Sequence, residues 1–160
     1  MRRLPHLIAA LILPLALAAG SPAQAASNCV SVADQSAYEV LSLRTQMILL
    51  ATKCGRDADY NNNFIRRFQG GLQANDATVT NYFRRVYGSA GQGRKDSFAT
   101  ELVNVMSQQA NAQGAEYCAR AGFIVNEMMA LRTMEELIQY AAVKDLAPVG
   151  TSMCPAGSRR

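Results

Sequence analysis

After residue 30, the hydrophobic positions of the chain recur at intervals of three and four, which is the period of an amphipathic α-helix. Between Ala26 and Ala147 there is no proline in 122 residues, and clusters of turn residues are few. Domains built from many short strands carry turn signals at much closer spacing. The pattern therefore predicts an all-α domain over residues 26–147.

Helix boundaries are predicted from capping residues and glycines. Ser31 and Asp34 have the S-x-x-D spacing of a helix start, and Gly55 follows the first helix where a left-handed cap favours glycine. The five predicted helices cover about 33–54, 57 or 59 to 71, 76–88, 94–112 and 115–145. Their short loops favour an antiparallel up-down bundle, and residues 148–160, rich in Gly, Pro and Ser, are predicted to form an irregular tail.

The first 25 residues have the organisation of a secretory signal peptide. Two arginines precede an apolar run of 13 residues, 7–19, and Ala23-Gln24-Ala25 is an A-x-A cleavage signal. The run is shorter than the roughly 20 residues that a membrane-spanning helix needs. The neighbours expected for a twin-arginine or lipoprotein signal are missing, so these two alternatives are disfavoured. We expect Sec-type export to the periplasm or out of the cell, with cleavage after Ala25.

Composition narrows the chemistry of the exported chain. Apolar residues make up 49% and charged residues 18%, a balance that excludes a disordered chain. The single histidine, His6, lies in the signal peptide, so the mature chain has no imidazole for catalytic triads or for binding zinc, copper or haem. We expect no cofactor and no metal site, and a binding protein is favoured over an enzyme. A hydrolase that uses carboxylates alone stays open.

Four cysteines survive cleavage, and an even number in a small exported protein predicts two disulfides. Their spacing fits no zinc or redox motif. Three pairings are open, and the up-down order selects one, because it brings the starts of helices one and five to the same end. On that basis we expect the bonds Cys29–Cys118 and Cys54–Cys154.

A short internal repeat gives the candidate binding residues. Segments 63–70 and 81–88 share the pattern Asn, aromatic, apolar, Arg, Arg, apolar, any residue, Gly, at an offset of 18 residues. On a helix the two arginines point away from the apolar positions. If the second and third predicted helices form a hairpin, the arginines share one surface with two further cations. The predicted binding residues are Arg66, Arg67, Arg84, Arg85, Arg94 and Lys95.

The distribution of charge suggests what such a surface would bind. Residues 60–95 carry six basic and one acidic side chain, whereas residues 96–145 carry seven acidic and three basic ones. One hypothesis is that these segments pack together and their charges pair. The other is an anionic partner, namely an envelope protein, an anionic polymer or lipid headgroups at a membrane surface. Nucleic acid is not expected, since cleavage lowers the net charge from +4 to +2.

The sequence thus favours a small exported helical protein that binds an envelope component through its arginines. A structural or chaperone-like role is the alternative, with Met128, Met129 and Met134 lining an apolar groove. Methionines at helical spacing nevertheless favour the core. The sequence makes no prediction of the oligomeric state.

Overall fold

A computed structural model describes residues 29–144 and 154, and within them the chain is helical without a β-strand. A π-helical segment, Asp59–Ile65, leads directly into the second α-helix, and a 3-10 turn, Gly88–Ala90, leads into the third. The α-helices are α1 (Val32–Cys54), α2 (Arg66–Tyr87), α3 (Gly91–Gln113), α4 (Ala115–Ala130) and α5 (Met134–Val143). The all-α prediction is confirmed. The predicted signal peptide, 1–25, and the predicted tail, 148–160 apart from Cys154, lie outside the described residues.

Both ends of α1 form as the sequence predicts. The Ser31 hydroxyl accepts a hydrogen bond from the backbone N–H of Asp34 at 3.2 Å, and the Asp34 carboxylate accepts one from the backbone N–H of Ser31 at 3.0 Å. Gly55 closes the helix in the left-handed conformation with φ 67°. A β-carbon is unfavourable there, so glycine ends the helix at Cys54.

The central helix of the fold is α1, which is buried around its circumference and contacts each of the other four α-helices. Its apolar residues join two clusters. The larger one packs against α4, α5 and aromatic residues of the π-helical segment and the first turn of α2. The smaller one surrounds Tyr38, whose ring lies edge-on to Tyr82 at 5.3 Å and to Phe98 at 5.2 Å. A helix enclosed in this way fixes the positions of its neighbours.

The predicted break at Gly70 and Gly71 is wrong, because α2 continues through both glycines. A β-carbon at position 71 would lie 2.5 Å from the sulfur of Met134. Glycine therefore serves close packing between α2 and α5 there and does not end a helix. Predicted helices two and three are one helix.

The predicted last helix, 115–145, is also corrected, since residues 131–133 divide it into α4 and α5. Thr133 begins α5 with a reciprocal cap, in which its hydroxyl accepts from the N–H of Glu136 and the Glu136 carboxylate accepts from the N–H of Thr133, each at 3.2 Å. The described chain thus has four helices of at least 16 residues and a fifth of 10, and these are not the five predicted ones.

Successive long helices run in opposite directions. Arg85 near the end of α2 pairs with Asp34 near the start of α1, with 2.7 Å between Nη2 and Oδ2. The ends of α1 and α3 meet where Lys53 donates to the Asn111 side chain at 2.7 Å. Because α4 follows α3 through the single residue Gly114, it starts at the end of the bundle where α1 finishes.

This order explains the disulfides. The observed bonds are Cys54–Cys118 and Cys29–Cys154. Two disulfides are confirmed, but the predicted pairs Cys29–Cys118 and Cys54–Cys154 are wrong. Merging two predicted helices removes one reversal of the chain, which places Cys118 beside the end of α1 instead of its start.

Candidate functional site

The repeated arginine pairs lie on one helix and not on a hairpin. Arg66 and Arg84 are 18 residues apart within α2. At 3.6 residues per turn that offset is five turns, so the pairs lie on the same side of α2, about 27 Å apart. The sequence repeat therefore marks two places along a single face, and four guanidinium groups do not converge.

Three of the six predicted binding cations are used inside the fold. Arg67 Nη1 donates to the backbone carbonyls of Met129, in the last turn of α4, and of Leu131, just after it, both at 2.8 Å. Arg85 pairs with Asp34, and its guanidinium lies 5.2 Å from the centre of the Tyr82 ring.

The third is Lys95, at the start of α3. Its Nζ contacts Asp76 at 2.9 Å and donates to the Thr80 hydroxyl at 2.7 Å, which joins α3 to α2. Arg67 and Arg85 reach partners more than 50 residues away along the chain, and Lys95 joins two successive helices. These three side chains therefore help to hold the helices of the bundle together.

The environment of the Asp34 carboxyl explains why its ion pair with Arg85 is stable. The carboxyl is only 3% exposed, and burial alone would raise its pKa. Hydrogen bonds from the hydroxyl and backbone N–H of Ser31 and from Arg85 outweigh that effect, so the pKa lies below its ordinary value. The charged form is therefore the stable one, and it keeps the Arg85 guanidinium in place.

The other three predicted cations, Arg66, Arg84 and Arg94, are exposed and make no hydrogen bond or ion pair with the described residues. Arg94 places its guanidinium 5.6 Å from the centre of the Tyr87 ring. Tyr87 lies one turn after Arg84 on α2. The α2–α3 turn therefore brings two arginines without carboxylate partners into the same neighbourhood.

An open depression of about 340 Å³ lies at this turn, lined by Thr80, Arg84, Gly88, Ser89 and Gln92. We call these residues, together with Arg94, the turn surface. Its walls are close because Gly91 lies against the last turn of α2, where an added β-carbon would be 2.8 Å from the Phe83 carbonyl oxygen. Guanidinium, hydroxyl and amide groups together suit a phosphate or carboxylate oxygen.

The hypothesis that the basic and acidic segments pair with each other does not describe the observed contacts. Arg85 pairs with Asp34 in α1, and Lys95 pairs with Asp76 inside the basic segment. Within 29–144 and 154, no ion pair joins residues 60–95 to residues 96–144. The acidic residues after position 95 therefore do not neutralise the excess of positive charge on α2, which faces solvent or a partner.

The three methionines do not share an exposed groove. Met128 is 3% exposed and belongs to the larger core cluster, which confirms the core interpretation for this residue. Met134 is half-buried and packs over Gly71, whereas Met129 is 44% exposed.

Two exposed acids, Glu127 and Glu136, have pKa values below their ordinary range. Hydrogen bonds from Lys144 and Tyr140 lower the pKa of Glu127, and the backbone N–H groups of Arg132 and Thr133 lower that of Glu136. A general acid at neutral pH needs the opposite shift. In the part of the chain that the structure describes, no three His, Cys, Asp or Glu residues are grouped so that they could bind a metal ion.

Sequence reasoning overlooked Arg44, in the middle of α1. Its guanidinium is half-buried, and Nε is fully buried without a hydrogen-bond partner. A groove of about 340 Å³ lies beside it. The signal available in the sequence was a lone cation among the apolar residues Val40, Leu41, Met47 and Ile48.

Comparison with known proteins identifies no relative, so any argument about function depends on the residues described above. No protein-family model, no curated protein and no solved structure matches the chain. No helix among the described residues is both long and apolar enough to cross a membrane.

Proposed function

We propose that this protein is a small exported binding protein that holds an anionic polymer of the cell envelope through its turn surface. The observation that carries the proposal is the pair of arginines at the α2–α3 turn, Arg84 and Arg94, which have no carboxylate partner among the described residues. An exposed guanidinium pair beside an open depression suits repeated phosphate or carboxylate groups.

The contrast between the two repeats supports this choice. Each repeat supplies one arginine that bonds to a distant part of the fold and one that makes no hydrogen bond or ion pair with the described residues, Arg66 in the first and Arg84 in the second. The second lies at the depression of the turn surface, where hydroxyl and amide groups of Ser89 and Gln92 stand beside it. We therefore place the main contact at Arg84 and Arg94, with Arg66 outside it.

Export is supported by the chain itself. The bonds Cys29–Cys154 and Cys54–Cys118 belong to the type of crosslink that persists in an oxidising compartment. The leader predicted over residues 1–25 accounts for how the chain would reach that compartment.

The proposal is tested by capture from envelope extract at low and high salt. The double variant Arg84→Glu/Arg94→Glu is compared with Arg66→Glu/Arg132→Glu, which changes the net charge equally at exposed arginines away from the turn surface. We expect salt-sensitive capture by the wild type, a loss of about tenfold or more in the turn variant, and a change within about twofold in the control.

Equal losses in the two double variants would mean a non-specific charge effect, and no loss in either would remove the turn surface as the binding site. Digesting the extract with protease beforehand identifies the partner class. Capture that survives digestion supports the polymer, whereas capture that disappears would replace it with an acidic protein.

A further inference from the structure

We propose that the groove beside Arg44 is a second binding site, which takes a small molecule with a carboxylate next to an amide and an apolar group. The groove has a volume of about 340 Å³ and lies between α1 and the π-helical segment with the first half of α2. Its Asp76 is one helical turn before Thr80 of the turn surface, but the two depressions share no lining residue. Its lining combines one cation, two carboxamides, two apolar side chains and one acid: Arg44, Gln69, Gln73, Ile65, Leu72 and Asp76.

The first argument is the unsatisfied state of Arg44. An arginine carries its charge at every physiological pH and presents only donors. Its Nε is buried and makes no hydrogen bond, and the guanidinium has no ion pair among the described residues. Leaving a buried donor without a partner is costly, and in native proteins such groups are few. Nε is closed to solvent, so an oxyanion that enters the groove would instead accept from the terminal Nη groups of the half-buried Arg44 side chain, which also have no partner among the described residues.

The second argument is position. The residues one turn before and after Arg44 on α1, namely Val40, Leu41, Met47 and Ile48, are all apolar. Burial alone would therefore favour an apolar residue at position 44, because a long aliphatic side chain fills the same space without an unpaired charge. Packing alone does not explain why position 44 carries a cation.

The third argument concerns Asp76, the one acid at the groove. Both of its carboxylate oxygens are engaged by Lys95, each at 2.9 Å from Nζ. Asp76 thus has its own counter-charge and does not pair with Arg44. The charge of Arg44 remains available to an anion that enters the groove.

The rest of the lining indicates what accompanies the carboxylate. Gln69 and Gln73 are one turn apart on α2 and present amide donors and acceptors along the same wall. Ile65 is half-buried and Leu72 is 6% exposed, so they form an apolar surface. The volume is at the lower end of the range for small-molecule sites. An N-acyl amino acid and the last residue of a peptide share this chemistry.

The probes are chosen to distinguish these two classes of ligand and to test whether binding requires the carboxylate. N-Acetyl-L-leucine, its neutral amide and an acetylated tripeptide ending in leucine are titrated into the oxidised mature chain, and backbone and side-chain amide resonances are followed by NMR. We expect saturable shifts that include the side-chain amides of Gln69 and Gln73 with the two acids, and none with the neutral amide. Tighter binding of the tripeptide identifies a chain terminus, and tighter binding of the single residue identifies a free acylated amino acid.

Variants at Arg44 make the proposal falsifiable. Arg44→Gln should weaken binding by about tenfold or more, whereas Arg66→Gln should leave it within about twofold. Arg44→Met should also lose binding while its thermal midpoint stays equal to or above that of the wild type, which separates loss of the site from loss of the fold. Wild-type affinity in Arg44→Met, or equal binding of the neutral amide, would overturn the proposal, as would no binding of either acid.

This result is independent of the turn surface. Arg84→Glu/Arg94→Glu should bind N-acetyl-L-leucine as the wild type does. If that double variant lost the small acid too, the Arg44 groove would not be the site.

Discussion

The guanidinium of Arg67 on α2 donates a hydrogen bond of 2.8 Å to the backbone carbonyl of Leu131, 64 residues later in the chain. The same Nη1 atom donates to the carbonyl of Met129 at 2.8 Å. Carbonyls at the end of a helix have no partner within it, and a nearby cation also favours the negative end of the helix dipole. Arg67 therefore caps α4 from another helix and fixes the turn into α5.

Replacing this cap should cost stability even though the side chain is at the surface. We expect Arg67→Ala to lower the free energy of unfolding by about 1 kcal/mol. Arg66→Ala is the matched control, since Arg66 is its exposed neighbour without a bond to the described residues, and its effect should stay within about 0.5 kcal/mol. Urea unfolding followed by circular dichroism measures both, and equal effects would contradict the capping role.

Two glycines at the start of α3 should respond to alanine with opposite signs. A β-carbon at Gly91 would lie 2.8 Å from the Phe83 carbonyl oxygen and 2.9 Å from the Arg84 α-carbon, both of which are backbone atoms that cannot turn aside. We expect Gly91→Ala to destabilise by about 1–3 kcal/mol.

Gly93 supplies the comparison, because it lies in the same helix with nothing within 4 Å of an added β-carbon. Gly93→Ala should stabilise by about 0.5–1 kcal/mol, the difference between glycine and alanine in a helix. Thermal and urea unfolding of the two variants test this, and a stabilising Gly91→Ala would show that α2 and α3 are not in close contact at the turn.

The disulfide pairing can be checked directly. Proteolysis of the oxidised protein without reductant should give one linked peptide pair containing Cys54 and Cys118 and another containing Cys29 and Cys154. The double variant Cys54→Ala/Cys118→Ala should lose about 2–4 kcal/mol of stability, mainly because the unfolded chain is less restricted. A peptide joining Cys29 to Cys118 would instead favour the order with five alternating helices.

The parts of the fold that the sequence predicts well depend on local interactions. Ser31 and Asp34 cap the start of α1 from three residues apart, and the glycines at positions 55 and 88 follow α1 and α2 where predicted. The cap at Thr133 and Glu136 has the same local character, so the T-x-x-E spacing was a usable signal for the start of α5.

The parts that it predicts badly depend on contacts between distant residues. Gly71 looks like a helix end in the sequence, but its role is set by Met134 on another helix. That single difference changes the number of reversals in the chain, and the disulfide partners change with it. The residues near Gly71 in the sequence do not indicate which helix will pack against it.

The candidate binding residues show the same difference between local and distant interactions. The 18-residue repeat is visible in the sequence and places the arginine pairs on one side of α2. Which arginine of each pair is used inside the fold depends on Leu131 and Asp34, which lie far away along the chain. The sequence therefore could not separate Arg66 and Arg84 from their neighbours.

Asp34 gives a prediction for the dependence of stability on pH. Its pKa in the folded protein lies below the ordinary value of 3.8, since hydrogen bonds from Ser31 and Arg85 outweigh the effect of burial. A lowered pKa in the folded state means that the stabilisation is fully present above the pKa of the unfolded chain. It is lost as the pH falls through the folded-state pKa, so this contribution should disappear in the acid range below about pH 4.

Asp34→Asn should remove that contribution while keeping a side chain that can cap α1. At pH 7 we expect it to lower the free energy of unfolding by about 1–3 kcal/mol, because Arg85 then loses its partner. The difference from the wild type should shrink as the pH falls below about 4, where the wild-type carboxylate itself becomes protonated. Asp57→Asn, at an exposed position, is the matched control for the loss of one carboxylate, and at pH 7 its effect should stay within about 0.5 kcal/mol. Urea unfolding between pH 2 and 7 measures the three curves, and a difference that stays constant across this range would contradict the role of the Asp34 charge.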